Sequence, residues 1–145
     1  MFRPCPALLL GAALLAAPAH AHRNEPAVRA RVEAFAKAWS TSNPQAVSAF
    51  FEVHGDLLDQ TGHWARGKME IELLYQAQFS TIFKGSKMVV ALDPMRFLDD
   101  HRAVVDATAT IDGLAPQRWH LTGVWHHEDD EWRMVSLRCW PVPGK

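Results

Sequence analysis

From Arg102 to Val142 the chain alternates apolar and polar residues, and turn residues cut that alternation into three pieces. In Arg102 to Asp112, Ala103, Val105, Ala107, Ala109 and Ile111 form one set, and Val104, Asp106, Thr108, Thr110 and Asp112 form the other. A period of two is the signature of a strand whose two faces meet different surroundings. Gly113 to Pro116 turns the chain, Gln117 to His127 forms the next strand, Glu128 to Asp130 turns it again, and Glu131 to Val142 is the last strand. Upstream, Lys87 to Leu98 is a further long strand in which Pro94 marks an edge or a bulge. Tight turns between consecutive strands make an antiparallel meander.

The segment before the meander has a helical period. Pro26 suits a helix start, and Val28, Val32, Phe35, Ala36 and Trp39 lie on one helix face. Thr41-Ser42-Asn43 breaks that helix, Asn43 can cap the next and Pro44 suits its first position. Val47, Phe50 and Phe51 read as the buried side of this short second helix, ending near Gly55. Asp56 to Gln60 and His63 to Arg66 make a small hairpin about Thr61-Gly62. Gly67 opens a third helix with apolar positions Ile71, Leu74, Tyr75, Phe79 and Ile82, and Gly85 ends it. The order predicts an α+β fold with the helices on one face of the sheet.

The first 21 residues read as a secretory signal peptide. Arg3 supplies a positive start, Ala7 to Ala17 is an apolar run of 11, and Ala19-His20-Ala21 is an A-x-A cleavage site. A membrane span needs about 20 apolar residues, so no span is expected. The mature chain, residues 22–145, is then a single domain, periplasmic or secreted. Cleavage removes Cys5 and leaves Cys139 alone, without a disulfide partner and suited to inert burial. With 15 Lys+Arg against 16 Asp+Glu the chain lacks the charge of a nucleic-acid binder, and 48% apolar content excludes disorder.

Four segments carry a family resemblance: Phe35 to Asn43 (FAKAWSTSN), Leu57 to Ile71 (LLDQTGHWARGKMEI), Met95 to Gly113 (MRFLDDHRAVVDATATIDG) and Trp125 to Val135 (WHHEDDEWRMV). In this order and spacing they resemble the nuclear transport factor 2-like, or cystatin-like, superfamily. Within it they are similar to the exported SnoaL-like, SgcJ/EcaC-like branch, largely of unassigned function. The resemblance covers about residues 28 to 142. It implies three N-terminal helices packed on a strongly curved antiparallel sheet, a cone-shaped pocket between them, and a homodimer formed through the sheet. It implies no single chemistry.

The superfamily includes ketosteroid-isomerase-like enzymes, in which a carboxylate takes a proton beside a carbonyl while a Tyr and a protonated Asp stabilise the enolate. The resemblance puts Asp59 within one residue of the base. Phe35 stands at the Tyr position, and no acid stands near Thr122 or Gly123, where the second donor would be. Losing one oxyanion donor costs ~100- to 1,000-fold in rate, so the isomerase mechanism is incomplete. Asp59 remains the one catalytic candidate, as a base at the mouth of an apolar pocket; a turn-flanking Asp or a partner for Arg66 is the structural alternative.

Phe35, Trp39, Trp64, Tyr75 and Trp125 are the expected aromatic walls, and Asp106, His120 and Arg138 the expected polar anchors. Arg138 shares a parity with Trp132, Met134 and Trp140, but parity names two faces without saying which lines the pocket. No metal site is expected. His120 and His126 lie about 20 Å apart along a strand, His126 and His127 point to opposite faces, and neither H-E-x-x-H nor C-x-x-C occurs. A combination of His54, His63 and Asp59 stays open, and His22, the expected mature N-terminus, falls on a fraying end. No Gly-rich phosphate loop or G-x-S-x-G is present, so no cofactor and no serine nucleophile is expected. His126 to Glu131 (HHEDDE) reads as a solvated turn.

Three functions follow. One is a domain that binds an apolar or ring-containing small molecule in the cone. Another is a cyclase or isomerase using Asp59. The third is a non-catalytic dimeric interaction module whose cone is filled by its own side chains. An open cone favours the first two, and a packed one the third.

Overall fold

The structure, a computed structural model, describes residues 22–143; the expected signal peptide lies outside the described residues. Helix α1 (Glu25–Trp39) buries Val28, Val32, Phe35, Ala36 and Trp39, the five positions of its apolar stripe. Helix α2 (Pro44–Ser48) is capped by Asn43, whose side chain accepts from the Ala46 amide. It stops well short of Gly55. Phe51 instead opens strand β1 (Phe51–Leu58), which pairs parallel with the last strand. The Phe50-Phe51 pair is buried in either conformation, so apolarity alone could not separate helix from strand here. The non-local pairing decides it.

Strand β2 (Trp64–Arg66) returns antiparallel to β1. Helix α3 (Lys68–Ser80) buries Ile71, Tyr75 and Phe79. Ile82, placed on the same stripe by sequence, is 42% exposed because the helix has ended, and the following turn directs Phe83 inward in its place. The expected strand over Lys87 to Leu98 is divided about Pro94 into β3 (Met88–Leu92) and β4 (Arg96–Asp99), which pair in succession with the same neighbour. That neighbour is β5 (Arg102–Ile111), followed by β6 (Gln117–Glu128) and β7 (Glu131–Pro141).

The seven strands form one curved sheet in the order β2-β1-β7-β6-β5-β3, with β4 also on β5. The sheet is mixed rather than wholly antiparallel, because β1 runs parallel to β7. Gly55 permits that contact: a Cβ there would lie 2.9 Å from the Met134 carbonyl oxygen. His22 is held rather than frayed. Its ring stacks on Phe97 with centroids 3.9 Å apart, and its Nε2 lies 3.2 Å from Asp100.

Burial settles the strand faces. Ala103, Val105, Ala107, Ala109 and Ile111 of β5 are buried, as are Trp119, Leu121 and Trp125 of β6. They face a core of interlocked rings. Trp39 meets Phe79 and Trp119 edge-on, Phe83 meets Trp119, Tyr75 stacks on Phe79, and Phe35 meets Phe50 and Phe51. Such edge-to-face pairs add to the area each ring removes from water.

Candidate functional site

Asp59 follows directly after β1 and is only 4% exposed. Its backbone frames the turn, donating to the His63 carbonyl at 2.9 Å and accepting from the Gly62 amide at 3.0 Å. Its side chain then locks the turn. Oδ1 accepts from the Thr61 amide at 2.9 Å, the Thr61 hydroxyl at 2.6 Å and the His63 amide at 2.9 Å. Oδ2 accepts from Gln78 Nε2 at 2.9 Å, tying the turn to α3. A carboxylate offers about four lone-pair sites, so four donors engage nearly its full capacity. Arg66 is not its partner; that guanidinium sits 4.2 Å over the Trp64 ring. Gln78 lay unmarked in the sequence, on the flank of the α3 stripe.

Tyr75 and Cys139 lie close enough to Asp59 to feel its charge. Burial, reinforced by the neighbouring Cys139 and Asp59, holds the Tyr75 phenol well above its usual range. Burial, with the Asp59 charge adding to it and Arg138 opposing, likewise pushes the Cys139 thiol far up.

Phe35, Trp39 and Trp125 do face the cone, but as packed core. A void between α1 and the middle of the sheet, bounded by Val32, Phe35, Val105, Leu121, Trp125 and Met134, is about 20 Å³. That is room for about one water, in an apolar lining. Of the two residues near which the resemblance would put a second donor, Thr122 lies on the outer face, while Gly123 lies inside beneath the Trp125 indole, whose Nε1 would be 2.8 Å from an added Cβ.

Trp64, Asp106, His120 and Arg138 do not line the cone. They lie on the sheet's outer face, away from the helices. Asp106, Thr122, Arg138, Leu58 and Trp64 are successive register partners, forming one row across β5, β6, β7, β1 and β2. The inversion of Arg138 has a local cause. The β6–β7 register jumps from Trp125↔Met134 to Val124↔Ser136, so Val135 is an extra residue, and strand parity reverses beyond it. Met134 and Leu137 therefore both point inward.

The outer row is ordered by polar contacts. Arg138 grips Asp56 with two parallel bonds of 2.9 Å, and the Trp64 indole donates to the same carboxylate at 2.9 Å. Partial burial pushes the Asp56 carboxyl up, but hydrogen bonding by Arg138, Ser136 and Trp64, with the Arg138 charge, outweighs it and holds the group below the usual carboxylate range. Asp106 accepts from the Thr122 hydroxyl and pairs with Arg96 at 3.5 Å. His120 is exposed between Thr108 and Trp140. Trp64 and Trp140 are 48% and 50% exposed.

Metal-type donors do not converge at Asp59. His54 and His63 are exposed, while Asp59 is buried in its turn. Among the described residues the donors that do converge are Glu52, His126 and Glu128. No helix among the described residues is long and apolar enough to cross a membrane.

No protein-family model matches the sequence, and no curated protein matches it as a relative. Solved structures do resemble it. An uncharacterized protein with a cystatin-like fold from Caulobacter vibrioides is 21% identical, with a TM-score of 0.76 over 84% of this chain and 92% of that one. A ketosteroid isomerase-like protein from Erwinia carotovora atroseptica is 16% identical, with a TM-score of 0.74 over 85% and 99%. A provisionally assigned calcium/calmodulin dependent protein kinase II association domain from Xanthomonas campestris is 22% identical, with a TM-score of 0.70 over 82% and 88%. The chain therefore has the cystatin-like, nuclear transport factor 2-like fold.

Proposed function

We propose that the mature protein is an exported, self-associating domain that pairs through the outer face of its sheet, with a cone filled by its own aromatic side chains. The observation that carries this reading is the void of about 20 Å³ between α1 and the sheet. Pockets for drug-sized ligands measure roughly 300–1,000 Å³. A space of about 320 Å³ does lie along α3, lined by His63, Glu70, Leu73, Leu74 and Ala77, but it is an open surface groove outside this part of the cone. A ring-containing ligand in this part of the cone would require Phe35 or Trp125 to leave the core. The isomerase reading fares no better: Asp59 is spent on its own turn, Phe35 cannot donate, and neither Thr122 nor Gly123 is an acid.

The outer face has what an interface uses. Trp64 and Trp140 are half-exposed, and Arg138 is already fixed by Asp56, so little side-chain freedom is lost on docking. Trp and Arg are the residue types most enriched among those that dominate binding energy. Structural neighbours described as association domains give this use of the fold a precedent. Export rests on Arg3, the apolar run Ala7 to Ala17 and Ala19-His20-Ala21.

The test is sedimentation velocity of the exported protein across a concentration series, beside a Trp64→Ser/Trp140→Ser variant. The reading expects a dimer that the double variant converts to a folded monomer. A monomer at every concentration would sink it. Native mass spectrometry of the same sample separates the rivals, because a co-purifying hydrophobic small molecule would favour the ligand-binding reading. Intact mass gives the N-terminus, expected at His22.

A further inference from the structure

A group of side chains outside the cone and the Asp59 turn has no part in the reading above. Glu52 of β1 and His126 and Glu128 of β6 bring one carboxylate, one imidazole and a second carboxylate together, with donor atoms all within 4.8 Å of one another. His126 Nδ1 and Glu52 Oε1 are 2.7 Å apart, although 74 residues separate them in sequence. The fold builds this group; no local motif does.

Strand pairing on both sides holds the backbone that carries His126. His126 pairs with Arg102 of β5 on one side and with Arg133 of β7 on the other. Glu52 follows Phe51, which pairs with Met134. Two carboxylates this close repel unless a positive charge lies between them. The neighbouring guanidiniums already have carboxylates of their own: Arg102 bonds Asp99, while Arg133 and Arg31 both pair with Glu131. Among the described residues Glu128 has no ion-pair partner. Glu128 is exposed, and Glu52 and His126 are partly so, which leaves the group open to an entering ion.

We propose that Glu52, His126 and Glu128 bind a divalent transition-metal ion of the zinc class. Imidazole with carboxylates suits such ions, and three protein ligands leave a position for water or a further ligand. Zinc bonds of about 2.0–2.2 Å set tetrahedral donors roughly 3.3–3.6 Å apart. Side-chain rotation covers the difference from the present spacing: the His126–Glu52 pair opens slightly, and Glu128 closes in. The imidazole gives up to the metal the nitrogen that now faces Glu52.

The experiment is calorimetric titration of Zn²⁺ into the EDTA-stripped full protein, repeated with Co²⁺ to read its visible absorption. The expected result is one ion per chain. Glu128→Gln, an exposed change that leaves the core alone, weakens binding about tenfold or more and alters the Co²⁺ spectrum; Glu52→Gln and His126→Ala do the same. His101→Ala, outside the group, leaves binding unchanged. Absence of saturable binding, or binding equal in wild type and Glu128→Gln, overturns the proposal. Circular dichroism of each variant identifies any loss caused by misfolding, and Glu128→Gln carries the test if His126→Ala fails to fold.

Discussion

Replacing Asp59 separates a structural staple from a catalytic base. The carboxylate accepts four hydrogen bonds, three of them at Oδ1 from the turn and one at Oδ2 from Gln78. Hydrogen bonds to a charged group contribute about 1.5–3 kcal/mol each when measured singly. The four are not additive, because Thr61 and His63 are exposed and water can replace the lost acceptor. Asp59→Ala strands the Gln78 amide and frees the turn, for a cost of about 3 kcal/mol. Asp59→Asn keeps an oxygen for the turn and lets the Gln78 amide flip to accept from the new NH₂. Only the charge assistance is lost, about 1.5 kcal/mol. For a domain of this size 1 kcal/mol shifts Tm by roughly 4 °C, so the expected drops are about 12 °C and 6 °C. Scanning calorimetry of the wild type and both variants reads them. A base held in a hostile pocket behaves oppositely, since removing its charge relieves strain and raises Tm. An Asp59→Asn protein as stable as wild type, or more so, would refute the staple argument.

Two further outcomes follow from the packing and the outer row. Ser86 is fully buried and its Oγ has no partner among the described residues, so Ser86→Ala should stabilise by about 1 kcal/mol in urea unfolding. Asp56 has a folded-state pKa held below its ordinary 3.8, so its pair with Arg138 contributes stability above that value and loses it as pH falls through the lower folded value. Arg138→Met should therefore cost about 2 kcal/mol at pH 7 and progressively less on acidification, with the two urea midpoints converging at the acid end. A gap independent of pH would contradict this.

Much of the fold was legible in single residues. The stripe Val28, Val32, Phe35, Ala36, Trp39 is local information, and the structure buries all five. The alternation in β5 survives intact because β3 on one side and β6 on the other keep register with it. What the sequence withheld is non-local. Phe51 belongs to a strand because β7 lies beside it, 83 residues later at Met134. Val135 gives no sign that it will bulge, yet that one residue moves Arg138 from the expected cone to the outer face, beside Asp56. The same ambiguity of faces misplaced Asp106, His120 and Trp64. Asp59 was visible as a turn residue, but not the saturation of its oxygens, which needs the amides of Thr61 and His63 and the side chain of Gln78 in three dimensions.

The proposed function makes the outer sheet face the working surface and the cone a core. Sedimentation velocity of wild type against Trp64→Ser/Trp140→Ser tests that most directly. The expected result is a wild-type dimer and a folded, monomeric variant. A wild type that stays monomeric at high concentration, or a dimer indifferent to the loss of both tryptophans, would contradict it.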